Sequence, residues 1–351
     1  MTGTRGKHSR WVTYGAAAIA GALLVAGCTS NDSDTNASAS ANGGGGDTGT
    51  TTSGETVVIG FSGPAADHGW LGAINSAAIA KAEEFDDVEL RVAEGTNDAN
   101  LQISQVETFV NEGVDAIVLL PTDGAALTEA AIAAMAAGIP VINVDREFSS
   151  VDAARSTILG DNYGMGVSAG EYICGKLEGQ TDAVVAEVAG IDSLPLTQDR
   201  SQGFADALAE CGLDVDARVA ADFTIAGGQE VTAQLLSANP QIDALWNHDD
   251  DQGIGVLAAI DEAGRDEFFM VGGAGSLNAM NAIKAGDTVL EATVIYPSTQ
   301  AADGIALARL IAQGGSMSDL ASAGVPHRIV LDAPVVTAEN VDDYLHLGFE
   351  S

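Results

Sequence analysis

The stretch VDAIVLLPTDGAALTEAAIAAMAAGIPVINVDRE, residues 114–147, decides the fold. It holds a short apolar run, DAIVLL, then an Ala-rich segment of helical composition, then a second apolar run, PVINV. Short apolar runs rich in branched side chains that alternate with helical segments are typical of parallel strands covered by helices on both faces. The stretch therefore predicts one strand–helix–strand unit of an α/β fold.

The same alternation extends in both directions along the chain. TVVIGF (56–61) and VELRVA (88–93) precede the stretch, and the pattern restarts after STILGD (156–161) with five further apolar runs. About 300 residues follow position 56, which is enough for two domains of ordinary size. We therefore predict an α/β fold with two doubly wound parallel-sheet lobes.

The N-terminus has the features of an export signal. Three basic residues, Arg5, Lys7 and Arg10, precede an apolar run over 14–25 of about 12 residues, shorter than the roughly 20 that a spanning helix needs. Ala26 and Gly27 before Cys28 resemble a bacterial lipobox, which predicts a lipoprotein signal over 1–27 and a lipid on Cys28. A plain signal peptide with an incidental cysteine is the alternative.

Charge and composition limit the partners. Residues 28–55 are rich in Gly, Ser, Thr and Asn and predict a flexible tether. Three of the 14 Lys and Arg residues precede Cys28, so 11 remain beyond it against 50 acidic residues. Because nucleic-acid binding needs clustered cations, we expect no nucleic-acid partner. We expect an extracytoplasmic protein that contacts the cell membrane through its lipid anchor only.

The polar residues that follow each apolar run are the candidate ligand-binding groups. In doubly wound sheets, ligands bind beyond the carboxyl ends of the strands. These positions hold Asp145 and Arg146 after PVINV, and three acids over 249–251. An adjacent guanidinium and carboxylate suit a ligand with neighbouring hydroxyls. A structural salt bridge that caps the strand is the alternative for Asp145 and Arg146.

Enzyme and cofactor motifs are weak. GEYICGKL (170–177) resembles a Walker A loop but has Leu177 where Ser or Thr is required. GMGVSA (164–169) and GIGVLA (253–258) match a dinucleotide fingerprint equally poorly, and helix starts packed on a sheet explain them as well. The acids at 249–251 lack the spacing of a known metal cage. We therefore expect no enzyme, no cofactor and no metal.

The chain resembles the ribose-binding-protein type of periplasmic sugar-binding proteins over residues 56–336. The resemblance is carried by AIVLLPTD (116–123), VINVDRE (141–147), DRSQGFADAL (199–208) and FFMVGGAG (268–275), in this order. It implies a type I periplasmic binding fold, in which three hinge strands join two lobes that close on a ligand. It also implies a substrate-binding lipoprotein of an ATP-driven importer, without catalytic activity, with a sugar or polyol ligand and a membrane permease as partners.

The family's binding positions are matched in part. Asp145 and Arg146 match the family's Asp-Arg pair. Ala274 and Tyr296 stand where the family has Asp and Gln, and these departures put ribose itself in doubt. The resemblance implies the following ligand-binding residues: Asp67, His68, Trp70, Asp145, Arg146, Gln198, Phe223, Asp249 and Tyr296.

The resemblance also implies the lobe boundaries. We expect residues 56–158 and 298–328 in the N-terminal lobe, residues 159–297 and 329–351 in the C-terminal lobe, and a monomer. Cys174 and Cys211, late in neighbouring predicted helices, could form a disulfide outside the cell or remain two buried thiols.

Three other functions remain open at this point. The same fold serves as the effector domain of transcription repressors, although the N-terminus here predicts a signal instead of a helix-turn-helix. An exported enzyme is a second rival. A protein that presents its ligand to a chemoreceptor or sensor kinase is a third.

Overall fold

A computed structural model describes residues 55–315 and 324–351. The predicted signal over 1–27, the lipidation site Cys28 and the tether up to residue 54 lie outside the described residues. No helix in the described ranges has the length and apolar character needed to cross a membrane.

Two six-stranded sheets form the two lobes. The first sheet is parallel throughout, and its strands lie in the order β11-β5-β4-β3-β1-β2. Its strands are β1 (Val57–Ser62), β2 (Val88–Val92), β3 (Ala116–Leu119), β4 (Val141–Val144), β5 (Ser156–Gly160) and β11 (Arg328–Leu331).

The second sheet repeats this order, β12-β10-β9-β8-β6-β7, and its edge strand β12 is antiparallel to β10. Its strands are β6 (Val185–Ala189), β7 (Val215–Ala220), β8 (Ala244–Asn247), β9 (Phe269–Ala274), β10 (Leu290–Ile295) and β12 (Val335–Thr337). The predicted fold class, two doubly wound lobes of alternating strands and helices, is confirmed.

Helices cover the faces of both sheets. The first lobe has α1 (Gly69–Glu83), α2 (Ala99–Glu112), α3 (Gly124–Ala136) and α9 (Gln300–Ala312). The second lobe has α4 (Asn162–Lys176), α5 (Pro195–Glu210), α6 (Ile225–Ala238), α7 (Asp250–Ala263), α8 (Leu277–Ala285) and α10 (Val341–Tyr344).

The strands are apolar because both of their faces are covered. All residues of β3, β4, β5, β6 and β8 are buried, whereas the edge strands β2 and β7 alternate between half-buried and exposed positions. A central parallel strand therefore reads as a continuous apolar run, and an edge strand as an alternating one.

The chain crosses between the lobes three times: after β5, after β10 and after β11. The first sheet includes β5 up to Gly160 and β11 up to Leu331, slightly beyond the predicted boundaries at 158 and 328. The crossings set the carboxyl ends of both sheets against each other. Ligand contacts are expected there in this kind of sheet.

Candidate functional site

A small cavity of about 30 Å³ lies between the lobes at the carboxyl ends of the strands. The first lobe contributes residues after β1 and β4, and the second lobe contributes residues after or near the ends of β6, β7, β8, β9 and β10. A wider groove shares Asp145, Arg146 and Leu196 with it. The cavity is lined by His68, Trp70, Asp145, Arg146, Leu196, Arg200, Phe223, Asp249, Ala274 and Tyr296.

Backbone strain is concentrated in this cavity. Among the described residues, three other than glycine have a positive φ: Asp145 at 64°, Phe223 at 67° and Ala274 at 88°. All three line the cavity. A non-glycine residue in this region costs on the order of 1–3 kcal/mol and persists where the surroundings fix it, most often at functional sites. The strained backbone positions therefore coincide with the side chains that line the cavity.

A chain of hydrogen bonds connects the two lobes through Tyr296. Its hydroxyl donates to Asp145 Oδ1 over 2.5 Å and accepts from Asn162 Nδ2 over 3.2 Å. Asn162 Oδ1 in turn accepts from Arg200 Nε over 2.9 Å. Burial, together with the charge of Asp145, raises the pKa of Tyr296 well above its usual range, so the hydroxyl keeps its proton as a donor.

Both arginines of the cavity are held by backbone oxygens. Arg146 Nη1 donates to Thr122 O over 2.7 Å, and Arg200 Nη1 donates to His248 O over 3.1 Å. Arg146 Nε is buried and has no hydrogen-bond partner among the described residues; it lies 3.8 Å from Asp145 Oδ2. A guanidinium group with a buried, unused N–H donor is suited to a ligand oxygen.

Asp249 supplies a buried carboxylate from the second lobe. It caps α7, because Oδ1 accepts from the Gln252 N–H over 3.0 Å. Burial raises the pKa of Asp249 to about 6; His68 opposes this rise and Asp251 adds to it. Asp249 is therefore ionised near neutral pH and able to accept hydrogen bonds from a ligand.

Aromatic rings form the apolar walls. Trp70 packs on Tyr296 with ring centroids 5.4 Å apart, and its Nε1 donates to Tyr296 O over 3.1 Å. Phe223 lies 6.3 Å from the His68 ring, and the guanidinium of Arg200 lies 4.5 Å from the Tyr296 ring centre. Such faces suit the C–H surfaces of a ring or a carbon chain.

A buried contact between His248 and Glu187 lies next to the cavity residue Asp249. His248 precedes Asp249, and its Nε2 lies 2.8 Å from Glu187 Oε1. Burial lowers the pKa of His248, although Glu187 acts in the opposite direction. Burial would raise the pKa of Glu187, but hydrogen bonds from His248 and Ser201 and the charge of Arg218 lower it overall. His248 thus contacts Glu187 through its side chain and accepts from Arg200 through its backbone carbonyl.

Seven of the nine residues predicted for the ligand line the cavity, and two do not. Gln198 lies on the exposed face of α5 and donates to Asp192 O over 3.1 Å. Asp67 is exposed and accepts from Asn97 Nδ2 over 2.9 Å. Side chains two positions apart on a helix point in nearly opposite directions. Arg200 therefore reaches the cavity, and Gln198 does not. Three lining residues were not among the nine: Leu196, Arg200 and Ala274.

One group of possible metal ligands lies beside the cavity. In the part of the chain that the structure describes, His68, Asp249 and Asp251 bring one ligand atom each to within 4.8 Å of the others. Oxygens of both carboxylates already accept backbone N–H groups, from Gln252 and from Trp70. Both carboxylates are thus engaged by backbone N–H groups, whereas His68 Nδ1 is buried without a hydrogen-bond partner among the described residues.

Cys174 and Cys211 form a disulfide with a Cα–Cα distance of 6.0 Å. It joins α4 to the residue that ends α5, so it lies within the second lobe. The disulfide therefore does not link one lobe to the other.

Known proteins share both the sequence and the fold. A family model described as periplasmic binding protein domain matches residues 59–316. The ribose import binding protein of Bacillus subtilis is 34% identical over 221 residues, which are 61% of this chain and 70% of that protein. A xylitol-binding protein of Mycolicibacterium smegmatis is 28% identical over 265 residues, 73% of this chain and 71% of that protein.

Solved structures agree with these relatives. A protein of Mycobacterium smegmatis in complex with β-D-fucofuranose is 26% identical, with a TM-score of 0.74 over 83% of this chain and 94% of that one. An ABC transporter solute-binding protein of Bacillus halodurans with bound myo-inositol is 25% identical, with a TM-score of 0.74 over 84% and 99%. The relatives are binding proteins and not enzymes, as expected for this chain. The chain belongs to the periplasmic binding protein family.

Proposed function

We propose that this chain is the extracytoplasmic solute-binding lipoprotein of an ABC importer and that it binds a monosaccharide or polyol between its lobes. One observation carries the proposal: the three strained residues Asp145, Phe223 and Ala274 converge on one cavity that two arginines also line. Both lobes thus contribute a strained backbone position to the cavity, and such strain persists most often at functional sites, which supports a binding role for the cavity.

The chemistry of the lining suits a polyhydroxylated ligand. Neighbouring hydroxyls accept hydrogen bonds from the guanidinium groups of Arg146 and Arg200 and donate to the carboxylates of Asp145 and Asp249. Trp70 and Phe223 cover the apolar face of such a ligand. A wrong epimer would leave one of these buried polar groups without a partner, and this mismatch gives selectivity.

The named relatives support the same ligand class. They include proteins for ribose and xylitol and structures with bound β-D-fucofuranose and myo-inositol. These ligands differ in ring size and number of hydroxyls but share vicinal hydroxyl groups. The ligand of this chain is proposed at the level of that class.

Binding would act by shifting the balance between open and closed lobes. A ligand held by Arg146 of the first lobe and Arg200 of the second favours the closed form by its extra contacts there. The hinges are proposed at 159–161, 296–298 and 328–332, around the three crossings. A membrane permease would read the closed form, and a lipid on Cys28 with the tether would keep the protein near it.

The experiment that tests the proposal is a thermal-shift screen followed by calorimetry. The purified protein is mixed with D-ribose, D-allose, xylitol and myo-inositol, and separately with amino acids and divalent metal ions. We expect at least one sugar or polyol to stabilise the wild-type protein. Arg146→Ala should abolish that shift, while Arg91→Ala, which removes a half-buried first-lobe arginine outside the cavity, paired with Glu89 and Glu112, should retain it.

Two outcomes would count against the proposal. Full affinity in Arg146→Ala would refute the assignment of the site, and stabilisation by amino acids or metal ions alone would refute the ligand class. The anchor is tested separately by mass spectrometry of the processed protein, which should carry a diacylglycerol on Cys28 that Cys28→Ser lacks.

A further inference from the structure

Three side chains able to bind a metal ion meet beside the cavity, and they come from both lobes. His68 precedes α1 of the first lobe, and Asp249 and Asp251 lie at the start of α7 in the second. One ligand atom of each residue lies within 4.8 Å of the other two. The acids at 249–251 have no cage spacing of their own, and the histidine belongs to a distant part of the chain. Only the fold therefore brings the three side chains together.

The first supporting observation is a nitrogen atom of His68. The His68 side chain is 10% exposed, and its Nδ1 is buried without a hydrogen-bond partner among the described residues. Buried polar atoms are nearly always partnered, so this atom requires an explanation such as an ion. Nδ1 lies 3.4 Å from Asp251 Oδ2. Two atoms that share a tetrahedral Zn²⁺ ion, each at about 2.0–2.2 Å from it, are about 3.4 Å apart.

The second observation is the charge of the two carboxylates. Asp249 is 5% exposed and Asp251 is 2% exposed. In the described part of the chain, neither forms a salt bridge with Lys or Arg. Buried charges in proteins are normally paired or bound to a metal. A divalent cation would balance both carboxylates and use the free imidazole nitrogen as its third ligand.

Backbone N–H groups hold both carboxylates in place. Asp249 Oδ1 accepts from Gln252 N–H over 3.0 Å, and Asp251 Oδ2 accepts from Trp70 N–H over 2.9 Å. A carboxylate has about four acceptor positions, so each retains some for an ion. Outer hydrogen bonds of this kind orient metal ligands. A Cβ on Gly69 would lie 2.6 Å from Asp251 Oδ1, so glycine at this position leaves room for the carboxylate.

We propose that His68, Asp249 and Asp251 form a binding site for a divalent transition-metal ion, and that Zn²⁺ suits their one imidazole nitrogen and two carboxylate groups. The three residues are called the interlobe metal site below. Three protein ligands leave a position for water or another oxygen, and His68 and Asp249 both line the cavity. The metal site stands on protein groups alone, whereas any contact of the ion with a sugar rests on the proposed function.

An ion at this site would join the lobes, because one ligand belongs to the first lobe and two belong to the second. All three ligands are available together only when the lobes are closed, so the ion favours the closed form. By linkage, a sugar that closes the lobes raises the affinity for the ion, and the ion raises the affinity for the sugar by the same factor. The ion would thus regulate uptake of the sugar.

The test uses the purified protein without a histidine tag, stripped with EDTA, and Zn²⁺ as the probe. Calorimetry should give one Zn²⁺ per chain. Small-angle X-ray scattering without sugar should show a smaller radius of gyration after Zn²⁺ is added. His68→Gln and Asp251→Asn should each weaken binding by at least about 100-fold, because loss of an outer contact alone costs about 10–100-fold. Both variants should also lose the compaction.

His327→Gln and Asp98→Asn are the matched controls. Both residues are exposed and belong to the first lobe, His327 just before β11 and Asp98 at the N-cap of α2. They should bind Zn²⁺ as wild type does. His68→Gln removes no side-chain hydrogen bond at Nδ1, so it should fold as wild type and keep the test decisive even if Asp251→Asn unfolds.

No binding of Zn²⁺, or binding that survives in His68→Gln, would overturn the interlobe metal site. Binding without compaction would overturn the joining of the lobes by the ion. A sugar screen without hits, together with Zn²⁺ bound at the site, would refute the proposed function and leave the metal site standing. Sugar binding in EDTA by a protein that binds no Zn²⁺ would refute the metal site alone.

Discussion

Tyr296 and Asp145 are joined across the cleft by a hydrogen bond of 2.5 Å. Tyr296 follows the last parallel strand of the second sheet, and Asp145 follows β4 of the first. Asp145 has a φ of 64°, so its strained backbone aims the carboxylate at the hydroxyl. The bond ties the closing lobes together inside the cavity that they share.

Removal of this bond should weaken binding. Tyr296→Phe leaves Asp145 Oδ1 without its donor while it preserves the ring that packs on Trp70. Because a hydrogen bond to a charged group contributes about 1.5–3 kcal/mol, we expect a loss of affinity of about tenfold or more for the best sugar of the screen, measured by calorimetry. Equal affinity in the two proteins would show that the bond does not assist closure.

Arg200 should matter for binding and Gln198 should not. Arg200→Ala removes a guanidinium that is buried in the cavity, and we expect a loss of about 100-fold in affinity, about 2.7 kcal/mol. Gln198→Ala, two residues away on the exposed face of α5, should bind as wild type. Calorimetry on both variants shows which of the two residues contributes to ligand affinity. A larger loss in Gln198→Ala would reinstate the assignment made from the sequence.

Ala274→Gly should stabilise the protein. Ala274 ends β9 with a φ of 88°, which glycine adopts without strain. We expect the free energy of unfolding in denaturant to rise by about 1 kcal/mol. Ala220→Gly is the control, since Ala220 ends β7 without a positive φ, and it should lower the free energy by about 0.5–1 kcal/mol. The same sign in both variants would contradict the strain at Ala274.

The disulfide should contribute to stability and not to closure. Cys174 and Cys211 are 37 residues apart, and a cross-link of this kind contributes about 2–4 kcal/mol. Cys174→Ser with Cys211→Ser should lower the free energy of unfolding by about that amount and leave sugar affinity unchanged, because the bond lies within one lobe. Weakened binding in the double variant would show that the bond also sets the geometry of α5 at the cavity.

His248 should make the protein less stable in acid. Its pKa is lowered by burial, so below pH 6.5 the unfolded state binds the proton more readily than the folded state. The wild-type protein should therefore lose up to about 1.4 kcal/mol per pH unit below 6.5 relative to His248→Gln, which still offers a donor to Glu187. Denaturant unfolding of both proteins from pH 5 to 8 measures this difference. A difference that is constant over the range would refute the contribution of His248.

The fold and half of the cavity were accessible from the sequence because they depend on local pattern. VINVDRE places Asp145 and Arg146 at the carboxyl end of a buried strand, and the carboxyl ends of parallel strands meet at one edge of the sheet. No distant information is needed for that step.

The choice between Gln198 and Arg200 was not accessible, because it depends on the rotation of α5. Close packing of α5 on α4 sets this rotation: a Cβ on Gly166 would lie 2.0 Å from Arg200 O, and a Cβ on Gly203 would lie 2.1 Å from Tyr163 O. The resemblance favoured the residue on the wrong face.

The three acids at 249–251 show a second limit. Asp249 lines the cavity, Asp250 accepts the N–H groups of Gly275 and Ser276 inside the second lobe, and Asp251 reaches the other lobe. Three consecutive acidic residues in a sequence do not reveal these separate environments. The environment of each residue depends on where α7 begins.

Strands β11 and β12 are consecutive in the chain, and each completes the edge of a different sheet. The first sheet cannot be finished until residue 331 has been synthesised, and the second not until residue 337, although five of the six strands of the first are made by residue 160. Long-range pairing of this kind makes folding slow. The chain order therefore postpones the native state until residue 337 has been made, which would keep the polypeptide open for the proposed passage across a membrane.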